Sequence, residues 1–314
     1  MIRPALAAVT LCAFGKFYAQ ELQYNSACIL HELQKLPTAA TVLYVAAHPD
    51  DENNGLLVKL NRGLGIKTSL LTVTRGDGGQ NEIGPELYEH LGAIRTDETE
   101  RAARILGTQV YFLNFKDFGF SKFASEAFEA WGGRDHVTAR LVYLIRRLKP
   151  DVLFTNHDTV TVGPRRQHGH HQAVGIAAYD AFTLAADASY HPEQLDEPGV
   201  DLWQPKRLFL RHWQRQESDD VAVPVGDPVP GLGTSAAGLA ADALHAHASQ
   251  GMDHFADRLR RMDATHFTLL RSATDAPLSP TDLAANLAPN TVAVPDLTYR
   301  IDAGRVPGLP EGTL

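Results

Sequence analysis

The sequence alternates short apolar runs with stretches of helical spacing, and this pattern constrains the fold more than any other feature. The first run, Thr41–Ala47 (TVLYVAA), ends at His-Pro, as expected for a strand buried on both faces. Similar runs lie at Thr68–Thr74, Gln109–Phe112, Asp151–Thr155 and Arg207–Leu210. Strands separated by helices predict an α/β fold: a Rossmann-like, open, mostly parallel sheet with helices on both faces.

Helices are predicted in the intervals between these runs. Leu87, Leu91, Ile94 and Ile105 repeat at helical spacing until Gly107, a suitable C-terminal cap. Further helices are expected from about 137 to 148, 170 to 186 and 236 to 248. Residues 221–236 are rich in Pro, Gly and Val, which predicts a loop.

The charge balance and the histidine content narrow the function. The chain has 29 Lys and Arg against 37 Asp and Glu, and the net charge of −8 argues against nucleic acid as the main partner. Fourteen histidines and two cysteines favour a metal site with nitrogen and oxygen ligands. Nothing after residue 19 is apolar for long enough to span a membrane, so the mature chain is predicted to lack an integral membrane segment.

Residues 1–19 have the pattern of a secretory signal. Arg3 precedes an apolar run from Ala5 to Phe14, and the stretch contains no acid. The alternative is a buried N-terminal helix. We therefore expect export to the periplasm or the exterior, a domain over 20–272 with its core at about 41–212, and a Pro/Ala-rich tail over 273–314. That tail is alternatively the start of a missing C-terminal region.

Two polar blocks follow predicted strands. AHPDDE comes directly after the first strand, and HGHH follows the strand at 151–155 and opens a helix. The carboxyl ends of parallel strands meet at one edge of a sheet, where ligands bind. His48 and Asp51 can supply two metal ligands from one turn, and His171 or a neighbour a third. The alternatives are a helix N-cap for HPDD and a solvated helix start for HGHH.

The remaining groups of these blocks fit hydrolysis. A metal ion lowers the pKa of a bound water and polarises a carbonyl. Asp50, a carboxylate beside the ligands, is placed to take a proton from water. His168 is placed to stabilise an oxyanion or to protonate a leaving amine.

AHPDDE after an apolar strand, with a later His-x-x-His followed by Gln-Ala-Val-Gly, resembles the PIG-L/LmbE family of zinc-dependent N-acetylglucosaminyl deacetylases. The resemblance runs from about Thr41 to His212. It implies zinc ligation by His48, Asp51 and His171, a general base at Asp50 and an assisting role for His168. Other divalent transition metals suit the same donor set.

Two further residues match the family's pattern. The helix Arg of Ile-Arg-x-x-Glu corresponds to Arg95, followed by Glu98, and the Asp after the third strand corresponds to Asp117. The resemblance implies that Arg95 and Asp117 hold sugar hydroxyls. The alternatives are a surface ion pair and a turn residue. RGDGGQNEIGPELYEHLGAIR, DFGFSK and SQGM (249–252) are similar to a secreted bacterial branch of the family.

The predicted function is removal of the N-acetyl group from an N-acetylglucosamine-type amino sugar or glycan by an exported zinc-dependent hydrolase. One alternative is hydrolysis of another N-acyl amide at the same site, and a second is a catalytically silent sugar-binding module. A nucleotide-binding sheet is disfavoured because RGDGG lacks the GxGxxG spacing and the Lys-Ser/Thr of a P-loop. The oligomeric state is left open.

Overall fold

The computed structural model describes residues 29–36, 38–164, 166–212, 216 and 219–278. The predicted signal at 1–19 and most of the predicted tail at 273–314 lie outside these residues. Export and the tail's role therefore stay predictions. Among the residues described, every helix is too short or too polar to cross a bilayer.

In the part of the chain that the structure describes, seven strands form one sheet. They are β1 (Thr41–Ala46), β2 (Lys67–Thr74), β3 (Gln109–Phe115), β4 (Val152–Thr155), β5 (Arg207–His212), β6 (Val221–Pro224) and β7 (Ala264–Ser272), in the spatial order β3-β2-β1-β4-β5-β7-β6. Strands β1 to β5 pair in parallel. β7 pairs antiparallel with both β5 and β6.

Helices cover both faces of the sheet. They are α1 (Asn54–Val58), α2 (Glu89–Leu106), α3 (Ala124–Ala130), α4 (Arg134–Leu148), α5 (Gly169–Leu184), α6 (Ala236–Leu244) and α7 (Asp253–Leu259), with a further helical segment at 29–35. A π-helical turn, Lys59–Gly63, extends α1, and 3₁₀ turns lie at Pro192–Asp196 and Ala248–Gln250. The predicted fold class is confirmed.

The alternation of side chains along β1 explains the two layers. Val42 and Tyr44 point to one face and pack with α1, α2 and α6, whereas Leu43 and Val45 pack with α3, α4 and α5 on the other. Because both faces are covered, the strand is apolar at nearly every position. Because of this burial, the central strands can be recognised in the sequence as continuous apolar runs.

The C-terminal half departs from the predicted pattern. Residues 221–224 form β6, so the loop predicted over 221–236 begins only after this strand. β7 was not predicted, since its buried positions alternate with half-exposed ones and give no continuous apolar run. The helix expected to reach Ala248 ends at Leu244, and the chain then tightens into the 3₁₀ turn Ala248–Gln250.

The buried guanidinium of Arg146 ties α4 to the chain that follows α5. It donates to the carbonyl oxygens of Leu184, Ala185, Asp187, Tyr190 and His191 at 2.7–3.4 Å. Carbonyls at a helix C-terminus lack intrahelical partners, so one cation here satisfies several of them.

Candidate metal centre and active-site cleft

The chain turns sharply after β1. The backbone N–H of His48 donates to Asp51 Oδ2 at 2.8 Å, and the Asp51 N–H donates to the His48 carbonyl at 3.4 Å. Asp50, between them, has a φ of 84°, a left-handed conformation that is uncommon outside glycine. The turn therefore directs the adjacent carboxylates of Asp50 and Asp51 to different sides.

The three predicted metal ligands converge. Asp51 Oδ2 lies 3.1 Å from His48 Nδ1 and 3.3 Å from His171 Nε2, and the two imidazole nitrogens are 3.2 Å apart. Tetrahedral ligands at a zinc bond length of about 2.0–2.1 Å are separated by about 3.3–3.4 Å. The triangle, His48–Asp51–His171, fits a zinc-type cation within a few tenths of an ångström.

Two other histidines lie beside this triangle, and their hydrogen bonds argue against ligation. His157 Nε2 is 3.5 Å from Asp51 Oδ2, but its lone pair accepts the N–H of Ala47 at 2.9 Å. His170 Nδ1 lies 3.0 Å from His48 Nε2. With His48 Nδ1 in the triangle, its Nε2 carries the hydrogen and donates to His170, which fixes the ring of His48.

The neighbouring carboxylates differ in proton affinity. Burial, and then the charge of Asp51, raises the pKa of Asp50 to about 8. Burial also acts to raise the pKa of Asp51, but the nearby imidazoles of His171 and His157 outweigh it and hold that pKa well below its usual value. The Asp51 carboxylate is thus ionised and suited to a cation, and Asp50 is suited to exchanging a proton near neutral pH.

His168 stands at the start of α5, over the triangle. Its ring centroid is 3.9 Å from that of His171 and 5.2 Å from that of His48. Burial, together with the charge of His171, lowers the pKa of His168 to about 3. The imidazole is therefore neutral at physiological pH and can offer an N–H donor.

A cleft of about 400 Å³ opens over these groups. It is lined by the predicted residues His48, Asp50, Asp51, Arg95, Asp117, His168 and His171, together with Gly78, Gly79, Gln80, Gly119, Phe120 and Gln250. The structure thus brings all seven predicted site residues to one cavity at the carboxyl edge of the parallel strands.

Arg95 is buried in the cleft wall and is not part of a surface ion pair. Its guanidinium donates to the carbonyl oxygens of Gly76 and Gln80 at 2.7 and 2.6 Å and to Ser249 Oγ at 3.3 Å. Glu98 is buried as well and accepts from the N–H and hydroxyl of Ser249, both at 2.7 Å. Arg95 therefore organises the RGDGG loop, and its predicted contact with sugar stays a prediction.

Asp117 stabilises a turn and also faces the cleft. Its Oδ1 accepts the N–H of Gly119 at 2.8 Å, as the turn interpretation requires. Its Oδ2 lies 3.9 Å from His48 Nε2, beside the metal triangle. The predicted role in holding a sugar hydroxyl stays a prediction.

The segment after α6 supplies residues that the sequence did not assign to the site. His247 and Gln250 lie against the turn of Asp50, and Ser249 joins Arg95 to Glu98. SQGM (249–252) is similar to a segment found in the family's secreted branch, but that similarity does not assign a role to any single residue.

Comparison with known proteins identifies the family of the chain. Residues 43–182 match the family described as PIG-L, GlcNAc-PI de-N-acetylase. The chain is also 31% identical over 254 residues to a 1D-myo-inositol 2-acetamido-2-deoxy-alpha-D-glucopyranoside deacetylase of Streptomyces scabiei, across 67% of this chain and 76% of that protein. The chain belongs to the PIG-L family. The predicted family and the predicted enzyme class, an N-deacetylase, are confirmed, whereas the secreted branch stays a prediction.

Solved structures share the PIG-L fold at low sequence identity. N,N'-diacetylchitobiose deacetylase from Pyrococcus horikoshii superposes with a TM-score of 0.55 at 20% identity, covering 82% of this chain and 91% of that one. The 4-carboxy-2-hydroxymuconate hydratase of Pseudomonas putida gives 0.56 at 16% identity, covering 76% and 100%. Since the second is a hydratase, the reaction must be argued from the residues of the site.

Proposed function

We propose that this chain is a metal-dependent deacetylase that hydrolyses the N-acetyl group of an N-acetylglucosamine-type amino sugar or glycan. The observation that carries the proposal is the ligand triangle beside Asp50 inside the cleft of a PIG-L protein. The deacetylase names of the relatives support the substrate class.

The metal belongs in the triangle of His48, Asp51 and His171. A zinc-type cation bound there supplies Lewis acidity and lowers the pKa of a water. Asp51 contributes the negative charge, and its hydrogen bond from the His48 backbone fixes the turn. His170, through His48 Nε2, holds the His48 ring with Nδ1 towards the site.

The other residues act on protons and on the substrate. Asp50 takes a proton from the water that adds to the acetamide carbon, and its raised pKa suits that exchange. His168, neutral, donates an N–H to the oxygen on which negative charge develops, and then assists proton delivery to the amine as the C–N bond breaks. Arg95 and Asp117 form the wall that receives the sugar.

Two variants test the proposed roles of Asp50 as the base and of His171 as a metal ligand. Asp50→Asn is expected to lower kcat for acetate release by roughly 10²–10⁴-fold while the metal content measured by elemental analysis stays unchanged. His171→Ala removes a ligand, so it is expected to lose metal and activity together. Full activity in Asp50→Asn would disprove the assignment of the base.

Substrate profiling separates the alternatives. The zinc-loaded protein is expected to release acetate from N-acetylglucosamine derivatives faster than it hydrolyses acyl amino acids. The reverse preference would identify hydrolysis of another N-acyl amide. Measurable sugar binding without acetate release would identify a silent binding module.

We also propose export, on the composition of residues 1–19. Expression of the full chain followed by fractionation is expected to place the enzyme outside the cytoplasm with its N-terminus shortened. An intact N-terminus on cytoplasmic protein would contradict export.

A further inference from the structure

A closed network of hydrogen bonds surrounds Asp50 on the side away from the metal triangle. The Asp50 N–H donates to Glu52 Oε2 at 3.0 Å, and Glu52 Oε1 pairs with His247 Nε2 at 2.8 Å. The side chains of Glu52 and His247 have no exposed surface. Each of these buried groups has the other as a hydrogen-bond partner, so removing either one would leave the other without that partner away from water.

The amide of Gln250 completes this network. In the orientation that satisfies both of its ends, its nitrogen donates to Asp50 Oδ2 at 3.1 Å and to the Pro49 carbonyl at 2.9 Å. Its oxygen then accepts from His247 Nδ1 at 3.2 Å. The opposite orientation would place the amide oxygen against the Asp50 carboxylate and the Pro49 carbonyl.

His247 determines which way the amide points. Burial acts to lower the pKa of His247, but the charge of Glu52 and its hydrogen bond outweigh it, so the pKa is raised. A protonated imidazole has N–H donors on both nitrogens, one for Glu52 and one for the oxygen of Gln250. The NH₂ group of Gln250 must then face Asp50.

Asp50 needs such support because of its backbone. Its left-handed φ of 84° persists only where the surroundings hold it. Glu52 binds its backbone N–H, and Gln250 binds its carboxylate, so the network restrains both ends of the residue. Within the described residues, the Gln250 amide is the hydrogen-bond donor found for the Asp50 carboxylate.

We propose that Gln250 is a positioning residue for the general base: oriented by the buried Glu52–His247 pair, its amide holds the Asp50 carboxylate in the geometry for proton transfer. The inference rests on the role of Asp50 in the proposed function. It assigns a catalytic purpose to the 3₁₀ turn Ala248–Gln250, far in sequence from the metal-binding turn.

Two substitutions of Gln250 test the proposal. Gln250→Met keeps the length of the side chain and removes the amide, and Gln250→Glu keeps the size but turns an acceptor towards Asp50. Both are expected to lower kcat by about 10- to 100-fold, the usual cost of losing such a supporting hydrogen bond, with KM and metal content unchanged. A residue that only fills space would be replaced well by the isosteric Glu.

Gln194→Met is the matched control. Gln194 donates to the Ala139 carbonyl and accepts from Arg146, both at 3.0 Å, away from the cleft. This variant is expected to melt at a lower temperature with kcat unchanged, so it reports the effect of losing a structural glutamine amide.

The outcomes separate this inference from the proposed function. Wild-type kcat in Gln250→Glu, or a loss of kcat that is matched by loss of metal, overturns the positioning role and leaves the deacetylase assignment standing. If Gln250→Met does not fold, as judged by circular dichroism, Gln250→Glu decides alone. Absence of acetate release from the zinc-loaded wild-type protein would overturn the proposed function itself.

Discussion

Asp50 and Asp51 are neighbours in the chain, yet their surroundings give them opposite proton affinities. Asp51 faces the imidazoles of His48 and His171, whereas Asp50 is buried close to other carboxylates. The left-handed turn at Asp50 directs the two carboxylates apart, which the proposed roles of Asp50 as base and Asp51 as ligand require.

His170 provides a prediction at the scale of one residue. Its Nδ1 accepts from His48 Nε2, so His170→Phe removes that acceptor while keeping an aromatic ring beside Phe118 and Trp131. We expect metal affinity to fall by about 10- to 100-fold. Competition with a chelator, followed by elemental analysis, measures it, and unchanged affinity would show that His48 is oriented without this bond.

His191 provides a prediction about pH and stability. Hydrogen bonds that His191 donates to Glu193 and Asp135, at 2.7 and 3.0 Å, raise the pKa of His191 above its usual 6.5. The folded state binds the proton of His191 more tightly than the unfolded state does. The resulting stabilisation of the fold is complete below pH 6.5 and is lost as the pH rises through the raised pKa of His191.

Replacement of His191 tests the direction of this pH dependence of stability. His191→Gln is expected to lower the melting temperature slightly at pH 6 and to have less effect at pH 9, as measured by calorimetry at both values. The effect is small because both carboxylates are largely exposed. A larger deficit at pH 9 would contradict the assignment.

At the scale of elements, the RGDGG loop and α2 form one wall of the cleft as a unit. A Cβ at Gly79 would lie 2.4 Å from Arg95 Nη1, which is closer than side chains approach. Gly79→Ala is therefore expected to displace Arg95, to raise KM for the sugar and to lower the free energy of unfolding by about 1–3 kcal/mol through its lost hydrogen bonds.

Gly63→Ala is the control for Gly79→Ala. Its added Cβ would meet the flexible end of Lys59 at 3.4 Å. We expect KM and the melting temperature to stay at their wild-type values. Steady-state kinetics and thermal melts of both variants decide the matter, and equal behaviour of the two would rule out crowding of Arg95 as the cause.

The sequence allowed the parallel half of this architecture to be predicted. Buried strands are apolar along their length, and the polar blocks at their carboxyl ends must share an edge, which is why His48 and His171 could be placed together. β7 could not be predicted, because an alternating half-exposed strand resembles an irregular segment. The role of Gln250 could not be predicted either, since it depends on how α6 and its 3₁₀ turn pack against the turn at Asp50.

At the scale of the whole molecule, the segment predicted as the core of the domain, about 41–212, does not bury its own apolar surfaces without the residues that follow it. Val221, Val223, Phe267 and the buried face of α6 pack with β1 and α1. A chain ending after residue 212 is therefore expected to unfold without a cooperative transition, or to aggregate, while the full chain melts cooperatively. Thermal melts followed by circular dichroism test this, and cooperative melting of the shortened chain would contradict it.

The contact between Glu52 and His247 joins residues 195 positions apart. Closing so long a loop is entropically costly, and a growing chain reaches its end last. His48, Asp51 and His171 are all synthesised well before His247 and Gln250 emerge. Because the core does not close before α6 has packed, we expect neither the metal triangle nor the fixed position of Asp50 to form until the chain has been synthesised past Gln250.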